Sequence, residues 1–158
     1  MENLYNKTKF ILKKYNISAN KSLGQNFLIN DSVVNKIVES AEITKNDLVI
    51  EIGPGLGNLT EFLLEKAGKV IAIELDQRML EILNDRFSLY DNFEIMVGNF
   101  QDIEVSLTEK YDYITLIGVF EYSEGYIGTH QPYVEMLRRI SRHQEKDGKL
   151  VIAIENRL

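Results

Sequence analysis

The stretch 49–57 reads VIEIGPGLG, an apolar run that passes directly into three glycines at alternate positions. A short run rich in Val and Ile that meets a glycine turn predicts a buried strand followed by a tight loop. Glycine suits such a loop because the backbone must turn sharply and a ligand can approach with no Cβ in the way. The stretch therefore predicts a strand with a ligand-binding loop at its carboxyl end.

Strand-like and helix-like segments alternate on both sides of this stretch. Further strands are predicted at Val70–Ile73, Phe93–Val97, Tyr113–Ile117 and Leu150–Ile154. Strands of nearly continuous Val, Ile and Leu, separated by amphipathic helices, imply a parallel sheet covered on both faces. The predicted fold is α/β, a Rossmann-like doubly wound, mainly parallel sheet of about five strands with helices on both faces.

Apolar side chains at helical spacing indicate which faces of the predicted helices are buried. A helix capped by Asn30 or Asp31 is expected to bury Val33, Val34, Ile37, Val38 and Ala41. A helix capped by Asp76 is expected to bury Met79, Leu80, Leu83 and Phe87. A third helix, Pro132–Arg142, is expected to bury Val134, Leu137 and Ile140.

Composition excludes several classes of protein. The 158 residues are 44% hydrophobic and 27% charged, as expected for one folded domain. The absence of Cys rules out disulfides, iron–sulfur clusters and cysteine nucleophiles, and with only two His no metal site is predicted. The longest apolar run, Ile114–Phe120, is too short to span a bilayer, so we expect a soluble cytoplasmic protein without a membrane partner.

Positive charge is concentrated at the N-terminus. The net charge is −6, yet the first 22 residues carry five Lys against one Glu, a balance of +4. Helical spacing is shown by Leu4, Thr8, Ile11, Leu12 and Tyr15. We therefore predict a basic helical arm at residues 1–22 ahead of a single-domain core at residues 23–158. The arm either contacts phosphates, because lysines release counterions from a polyanion, or is simply a solvated helix face.

Two acidic residues accompany the glycine loop. Glu74 ends the second predicted strand, where its carboxylate can accept both hydroxyl hydrogens of a ribose. Glu51 lies two residues before Gly53, and the glycine spacing G-x-G-x-G differs from the dinucleotide fingerprint. A carboxylate so close disfavours a pyrophosphate and suits a cationic ligand. S-adenosylmethionine, which carries a sulfonium and an amino group but no phosphate, fits this description.

This arrangement resembles the class I S-adenosylmethionine-dependent methyltransferases, whose E-x-G-x-G-x-G motif it matches. From about residue 21 to 93 the chain is similar to the ribosomal RNA adenine dimethyltransferases and the erythromycin-resistance methylases. Residues 22–28, SLGQNFL, match the family's G-Q-N-F-L motif, which in those enzymes lies against the bound cofactor. The resemblance implies S-adenosylmethionine as cofactor and ribosomal RNA as a partner for the basic arm. The cofactor-binding residues expected up to this point are Gln25, Asn26, Leu28, Glu51, Gly53, Gly55, Gly57, Glu74 and Leu75.

Three more residues are expected at the cofactor. Gly98-Asn99-Phe100 stands where the superfamily commonly has G-D-[AF], whose acid meets the adenine amino group. The Asn99 side-chain carbonyl can accept from the same amine, and Phe100 can flank the ring. An ordinary strand-to-helix turn explains these residues as well. Gly118, after the fourth strand, completes the set.

The later part of the chain resembles a different branch of the superfamily. The adenine-methylating motif N-[LI]-P-[YF] is absent, since residues 117–122 read IGVFEY. This string resembles G-V-L-E-[HY] of methyltransferases acting on small molecules, and residues 146–152, KDGKLVI, resemble their P-G-G-x-L turn. The catalytic candidates are Glu121 as a base or orienting group and Phe120 and Tyr122 as stacking residues. Packing is the alternative for the two aromatic rings, and simple exposure for Glu121.

The change of resemblance near residues 93–99 predicts a mosaic or chimera that ends just after the fifth strand, truncated relative to complete methyltransferases. Three functions stay open: a ribosomal RNA adenine methyltransferase, a methyltransferase of a small-molecule acceptor, and a fold that binds cofactor without turnover. An exposed edge at Leu150–Ile154 would also allow pairing with a second copy, so a homodimer is an additional expectation.

Overall fold

The computed structural model describes residues 3–18, 27–120, 123, 128 and 130–154. Its sheet has five parallel strands in the order β3-β2-β1-β4-β5. Their bounds are β1 Leu48–Ile52, β2 Lys69–Glu74, β3 Phe93–Val97, β4 Tyr111–Ile117 and β5 Gln144–Ala153. This confirms the predicted Rossmann-like sheet. The chain runs outward from β1 to β3 and then returns to β4, so the strand order reverses between β1 and β4, where such sheets bind ligands.

Helices cover both faces of the sheet. They are α1 Leu4–Lys14, α2 Asp31–Ala41, α3 Asn58–Lys66, α4 Arg78–Phe87, α5 Phe100–Ile103 and α6 Pro132–Ser141, with a 3-10 turn at Glu104–Ser106. Helices α1 to α4 pack on the face that carries Val49 and Val70, whereas α5 and α6 pack on the face that carries Ile50 and Ile71. Neighbouring residues of each strand thus serve opposite cores, as the two-residue period of a strand requires. None of the described helices has the length and apolarity needed to cross a membrane.

The N-terminal helix is amphipathic, as predicted. α1 buries Leu4, Thr8 and Ile11 in the same core as α2 to α4. Asn30 caps α2, as expected, because its side-chain oxygen accepts from the Val33 backbone N–H. The buried side chains of α2 are Val34, Ile37, Val38 and Ala41, and the prediction that Val33 joins them is wrong, since Val33 is exposed.

The buried face of α6 differs from the prediction. Ile140 is buried as expected, but Val134 is 47% exposed and Leu137 37% exposed. Pro132 and Met136 take their place on the sheet side. The helix is fixed in this rotation by an ion pair with the 3-10 turn. Arg139 Nη1 lies 2.5 Å from Oε1 of Glu104, whose carboxylate is buried in that turn.

The fifth strand begins earlier than predicted. Tyr111 of β4 lies opposite Gln144, and Tyr113, only two residues later, lies opposite Lys149. The intervening residues of β5 form a bulge, closed by a hydrogen bond from Gln144 Nε2 to the Gly148 carbonyl. The first residues of the sequence motif 146–152 therefore lie in a bulge, and residues 149–152 pair regularly with β4. β5 forms one edge of the described sheet, as the sequence predicted.

We predict that Gly57→Ala lowers the free energy of unfolding by about 2–4 kcal/mol, since it adds both backbone strain and overpacking. Gly57 adopts φ +86°, and a Cβ there would lie 2.5 Å from Phe87 Cε2 and 2.9 Å from Leu83 Cδ2. Gly128→Ala is the control, because a Cβ at that position meets no atom of the described residues within 4 Å. Urea denaturation measures both variants, and equal midpoints for the two would contradict the prediction.

Candidate functional site

A cavity opens where β1, β2 and β4 end, at the reversal of strand order. It contains about 990 Å³ of empty space, part of which is open to solvent. Most residues predicted at the cofactor line this one cavity. They are Leu28, Glu51, Gly53, Gly55, Glu74, Leu75, Asn99, Phe100 and Gly118.

The other predicted residues are placed differently. Gly57 does not line the cavity, since the space beside its Cα is filled by Phe87 of α4. Gln25 and Asn26 lie outside the described residues, as do Glu121 and Tyr122. Phe120 is half-buried outside the cavity lining and packs against the Tyr133 ring with centroids 5.4 Å apart. This contact corresponds to the packing alternative for Phe120.

Several lining residues were not anticipated. Phe27 lies within the motif of residues 22–28 and Asn58 directly follows the glycine loop, so these motifs were the available signal. Val119 follows Gly118, and a Cβ on Gly53, at φ +76°, would come within 2.5 Å of Val119 Cγ2. Met136 reaches the cavity from α6, and no local pattern in the sequence indicates this. The remaining unanticipated lining residues are Ile52, Pro54, Leu56, Leu59, Ile73, Gly98 and Ile117.

Glu74 joins the glycine loop to the second strand. Its side chain is almost fully buried; Oε2 accepts from the Gly55 backbone N–H and Oε1 from the Asp76 backbone N–H, each at 2.9 Å. Burial raises the pKa of Glu74, while the N–H donors of Asp76 and Gly55 act in the opposite direction. A carboxylate has about four lone-pair sites, so Glu74 keeps acceptor capacity for ligand hydroxyl groups.

Glu51 is the second acid of the cavity. It is 3% exposed, and the Thr60 hydroxyl donates to its Oε2 at 2.6 Å. Burial raises the pKa of Glu51 to about 7, and the negative charge of Glu74 contributes in the same direction. The Thr60 hydrogen bond and the positive charge of Arg86 oppose this shift. A cationic ligand group beside Glu51 would stabilise its ionised form.

Asn99 and Phe100 form the part of the cavity beyond β3. Asn99 is the N-cap of α5, and its Oδ1 accepts from the Gln101 backbone N–H at 3.1 Å. A side-chain carbonyl oxygen can accept two hydrogen bonds. Phe100 is 5% exposed and meets the His143 ring edge-on at 6.3 Å. Phe100 therefore forms a packed wall of the cavity.

Comparisons with known proteins identify relatives of this chain. The family model of ribosomal RNA adenine dimethylase matches residues 16–145. A ribosomal RNA small subunit methyltransferase A from Bacillus pumilus is 58% identical over 90 residues, which cover 57% of this chain and 31% of that protein. The protein of the same name from Clostridium botulinum is 47% identical over 116 residues, covering 73% of this chain and 42% of the relative.

A solved structure agrees with these matches. The crystal structure of a dimethyladenosine transferase from Plasmodium falciparum is 33% identical with a TM-score of 0.51, over 65% of this chain and 36% of that one. The chain thus spans between about a third and two fifths of the length of these relatives.

The family match also bears on the predicted mosaic. The model runs through residues 93–99 without a break in its range. A 116-residue match within 158 residues must cross the same segment. Neither comparison supports a junction there, so the mosaic stays a prediction without support. Because the family model matches residues 16–145, most of this chain, the chain belongs to the ribosomal RNA adenine dimethylase family, a family of class I methyltransferases.

Proposed function

We propose that this chain is the S-adenosylmethionine-binding core of a ribosomal RNA adenine methyltransferase. The observation that carries the proposal is the presence of Glu51 and Glu74, both buried, in one cavity with the glycine loop. None of the described lining residues is Lys, Arg or His. A cationic guest without phosphate matches such a site, because an anionic guest would face two carboxylates and, among the described lining residues, no basic side chain.

Each side of the cavity suits one part of this cofactor. Glu74 would accept from the ribose hydroxyls and Glu51 would pair with the amino group. Asn99 and Phe100 would meet the adenine, and Gly118 and Leu75 would enclose it. When bound, the cofactor supplies the methyl group for an in-line displacement at its sulfonium. The contribution of this chain is then to hold cofactor and acceptor in near-attack geometry.

The acceptor we propose is an adenine of small-subunit ribosomal RNA. Support comes from the family match and from the relatives named as small-subunit ribosomal RNA methyltransferases. The N-[LI]-P-[YF] motif is absent, and β4 ends in Ile117-Gly118-Val119-Phe120. The residues that would replace the motif, Glu121 and Tyr122, are candidates only by their place in the sequence. A partner of this kind would place the protein in the cytoplasm with the ribosome.

The outer face of α1 provides a surface for RNA. Lys7 and Lys14 form ion pairs with Glu61 and Asp85, so they belong to the docking of α1 on the core. Lys9 and Lys13 are exposed, and the Lys9 ammonium lies 5.1 Å from the centre of the Tyr5 ring. Phe10 beside them is 63% exposed. Lysines contact phosphates and exposed aromatic rings stack on bases, so this face combines both elements of RNA binding.

Radiolabel transfer tests the proposed activity. We expect tritium from S-adenosylmethionine to enter unmethylated small-subunit ribosomal RNA, with no transfer into a metabolite extract. Labelling of the extract alone would replace the RNA acceptor with a small molecule. Calorimetric binding of the cofactor without any transfer would restrict the proposal to binding. No binding at millimolar cofactor would refute the proposal as a whole.

The first prediction from this proposal concerns Glu74. We expect Glu74→Gln to weaken S-adenosylmethionine binding about 10- to 100-fold, the scale of hydrogen bonds to a charged group. The amide has one oxygen where the carboxylate uses two, so the Gly55 and Asp76 contacts would be disturbed as well. Glu94→Gln is the matched control, because Glu94 is half exposed and pairs with Lys69. Titration calorimetry gives both affinities, and a similar loss in the two variants would contradict the assigned role.

The second prediction concerns pH. Glu51, with a pKa of about 7, is ionised above that pH, and an α-amino group is protonated below about 7.8. Binding that needs both charges is therefore strongest between about pH 7 and 8. Below pH 7 affinity should fall by up to tenfold per pH unit, with a proton released on binding. Glu51→Gln should bind the cofactor more weakly at pH 7.5, and its affinity should no longer fall below pH 7. If affinity of the variant still fell below pH 7, Glu51 would not be the titrating group that controls binding.

The third prediction concerns the arm. We expect the double substitution Lys9→Gln with Lys13→Gln to weaken binding of a small-subunit ribosomal RNA fragment. It should also reduce the slope of log affinity against log salt by about 1 to 2, since two phosphate contacts are lost. Cofactor affinity should not change. Lys146→Gln, an exposed lysine in the β5 bulge, is the control. Filter binding across a salt series measures these slopes, and equal slopes for all proteins would favour the solvated-face alternative.

A further inference from the structure

A buried amide connects the N-terminal helix to the wall of the cavity. Asn58, the first residue of α3, is 3% exposed and lines the cavity. Its Nδ2 donates to Thr8 Oγ1 and to the Leu28 carbonyl, both at 2.8 Å, and its Oδ1 accepts from Arg86 Nη1 at 3.2 Å. A carbonyl can only accept and a guanidinium can only donate, so these partners fix the orientation of the amide.

The partners of Asn58 belong to three different parts of the molecule. Thr8 is 4% exposed on the inner face of α1 and does not line the cavity. Leu28, together with Phe27, forms one wall of the cavity. Arg86 of α4 also donates to the carbonyl of Leu56, within the glycine loop. Asn58 thus links α1 to the wall and, through Arg86, to the loop, alongside the ion pairs of Glu61 with Lys7 and Arg86.

Removal of the Thr8 hydroxyl oxygen would weaken the contacts that hold the cavity wall. Both N–H groups of the Asn58 amide are occupied, one by Thr8 and one by the Leu28 carbonyl. A buried N–H left without an acceptor carries a desolvation penalty, so the amide would turn toward a new acceptor. That rotation would weaken its bond to the Leu28 carbonyl. The segment of residues 27–30 would then be less firmly held.

We propose that Thr8 is a positioning residue for the cofactor cavity and acts through Asn58 on the wall formed by Phe27 and Leu28. This inference rests on the proposed cofactor function. It gives α1 a role beyond its basic outer face: the inner face of the helix sets the shape of a cavity to which its described residues contribute no lining atom. Any partner that holds α1 in place would also favour the binding-competent wall.

Two substitutions of Thr8 separate hydrogen bonding from packing. Thr8→Val keeps the shape of the side chain and removes the acceptor, whereas Thr8→Ser keeps the acceptor and removes a methyl group. We expect Thr8→Val to weaken binding of S-adenosylhomocysteine about 5- to 10-fold, and Thr8→Ser to stay within twofold of the unchanged protein. Titration calorimetry measures affinity, and thermal melting measures stability in parallel.

A third variant tests whether any loosening of α1 has the same effect. Tyr15→Phe removes the contact between the Tyr15 hydroxyl and Asp85 at the other end of the helix. It leaves the Asn58 contacts in place, so its affinity should stay within twofold. Equal affinities for Thr8→Val and Thr8→Ser would overturn the proposal. A loss in Tyr15→Phe as large as in Thr8→Val would also overturn it.

Hydrogen exchange tests the positioning independently of the cofactor. Amides of residues 28–30 should exchange faster in Thr8→Val than in Thr8→Ser or the unchanged protein, and this faster exchange supports the proposal even if no cofactor binds. Absence of binding by the unchanged protein would refute the proposed function alone. Equal exchange rates in all three proteins would refute the positioning role.

Discussion

The cavity depends on the carboxylate of Glu74 and the two backbone N–H groups that it accepts from. Ile52 and Ile73 are register partners in adjacent parallel strands, so the residues that follow them, the glycine loop and Glu74, emerge side by side. The Gly55 N–H then reaches Oε2, and the Asp76 N–H reaches Oε1. One acid thereby fixes the loop after β1 and the turn after β2. Both segments line the cavity.

The burial of Glu51 in one cavity with Glu74 lowers the stability of the folded protein and would favour binding of a cationic group. Burial and the neighbouring negative charge raise the pKa of Glu51 to about 7, which means that the ionised form is disfavoured in the folded protein. The Thr60 hydroxyl offsets only part of this cost. A cationic ligand group would remove much of the remainder. Strain of this electrostatic kind is typical of functional sites, where stability is given up for affinity.

Local patterns predicted the parts of the fold that local patterns determine. β3 has the bounds that the sequence predicted, and Glu74 meets the glycine loop because the loop follows β1 and Glu74 ends the neighbouring strand β2. The rotation of α6 was missed because it is fixed by the pairing of Arg139 with Glu104, which lies 35 residues away in the chain. The bulge in β5 and the Asn58 contacts likewise depend on tertiary partners. Periodicity carries no information about such pairs.

The glycines of the motif serve the packing of the protein as well as its ligand. A Cβ at Gly53 would collide with Val119, and one at Gly57 would collide with Phe87, so at both positions the space is already taken by this chain's own side chains. The explanation that these glycines only clear room for a ligand is therefore incomplete. They let the segment after β4 and helix α4 approach the loop closely. Hence the glycine pattern identifies the fold, while the two buried acids carry the argument for a cationic cofactor.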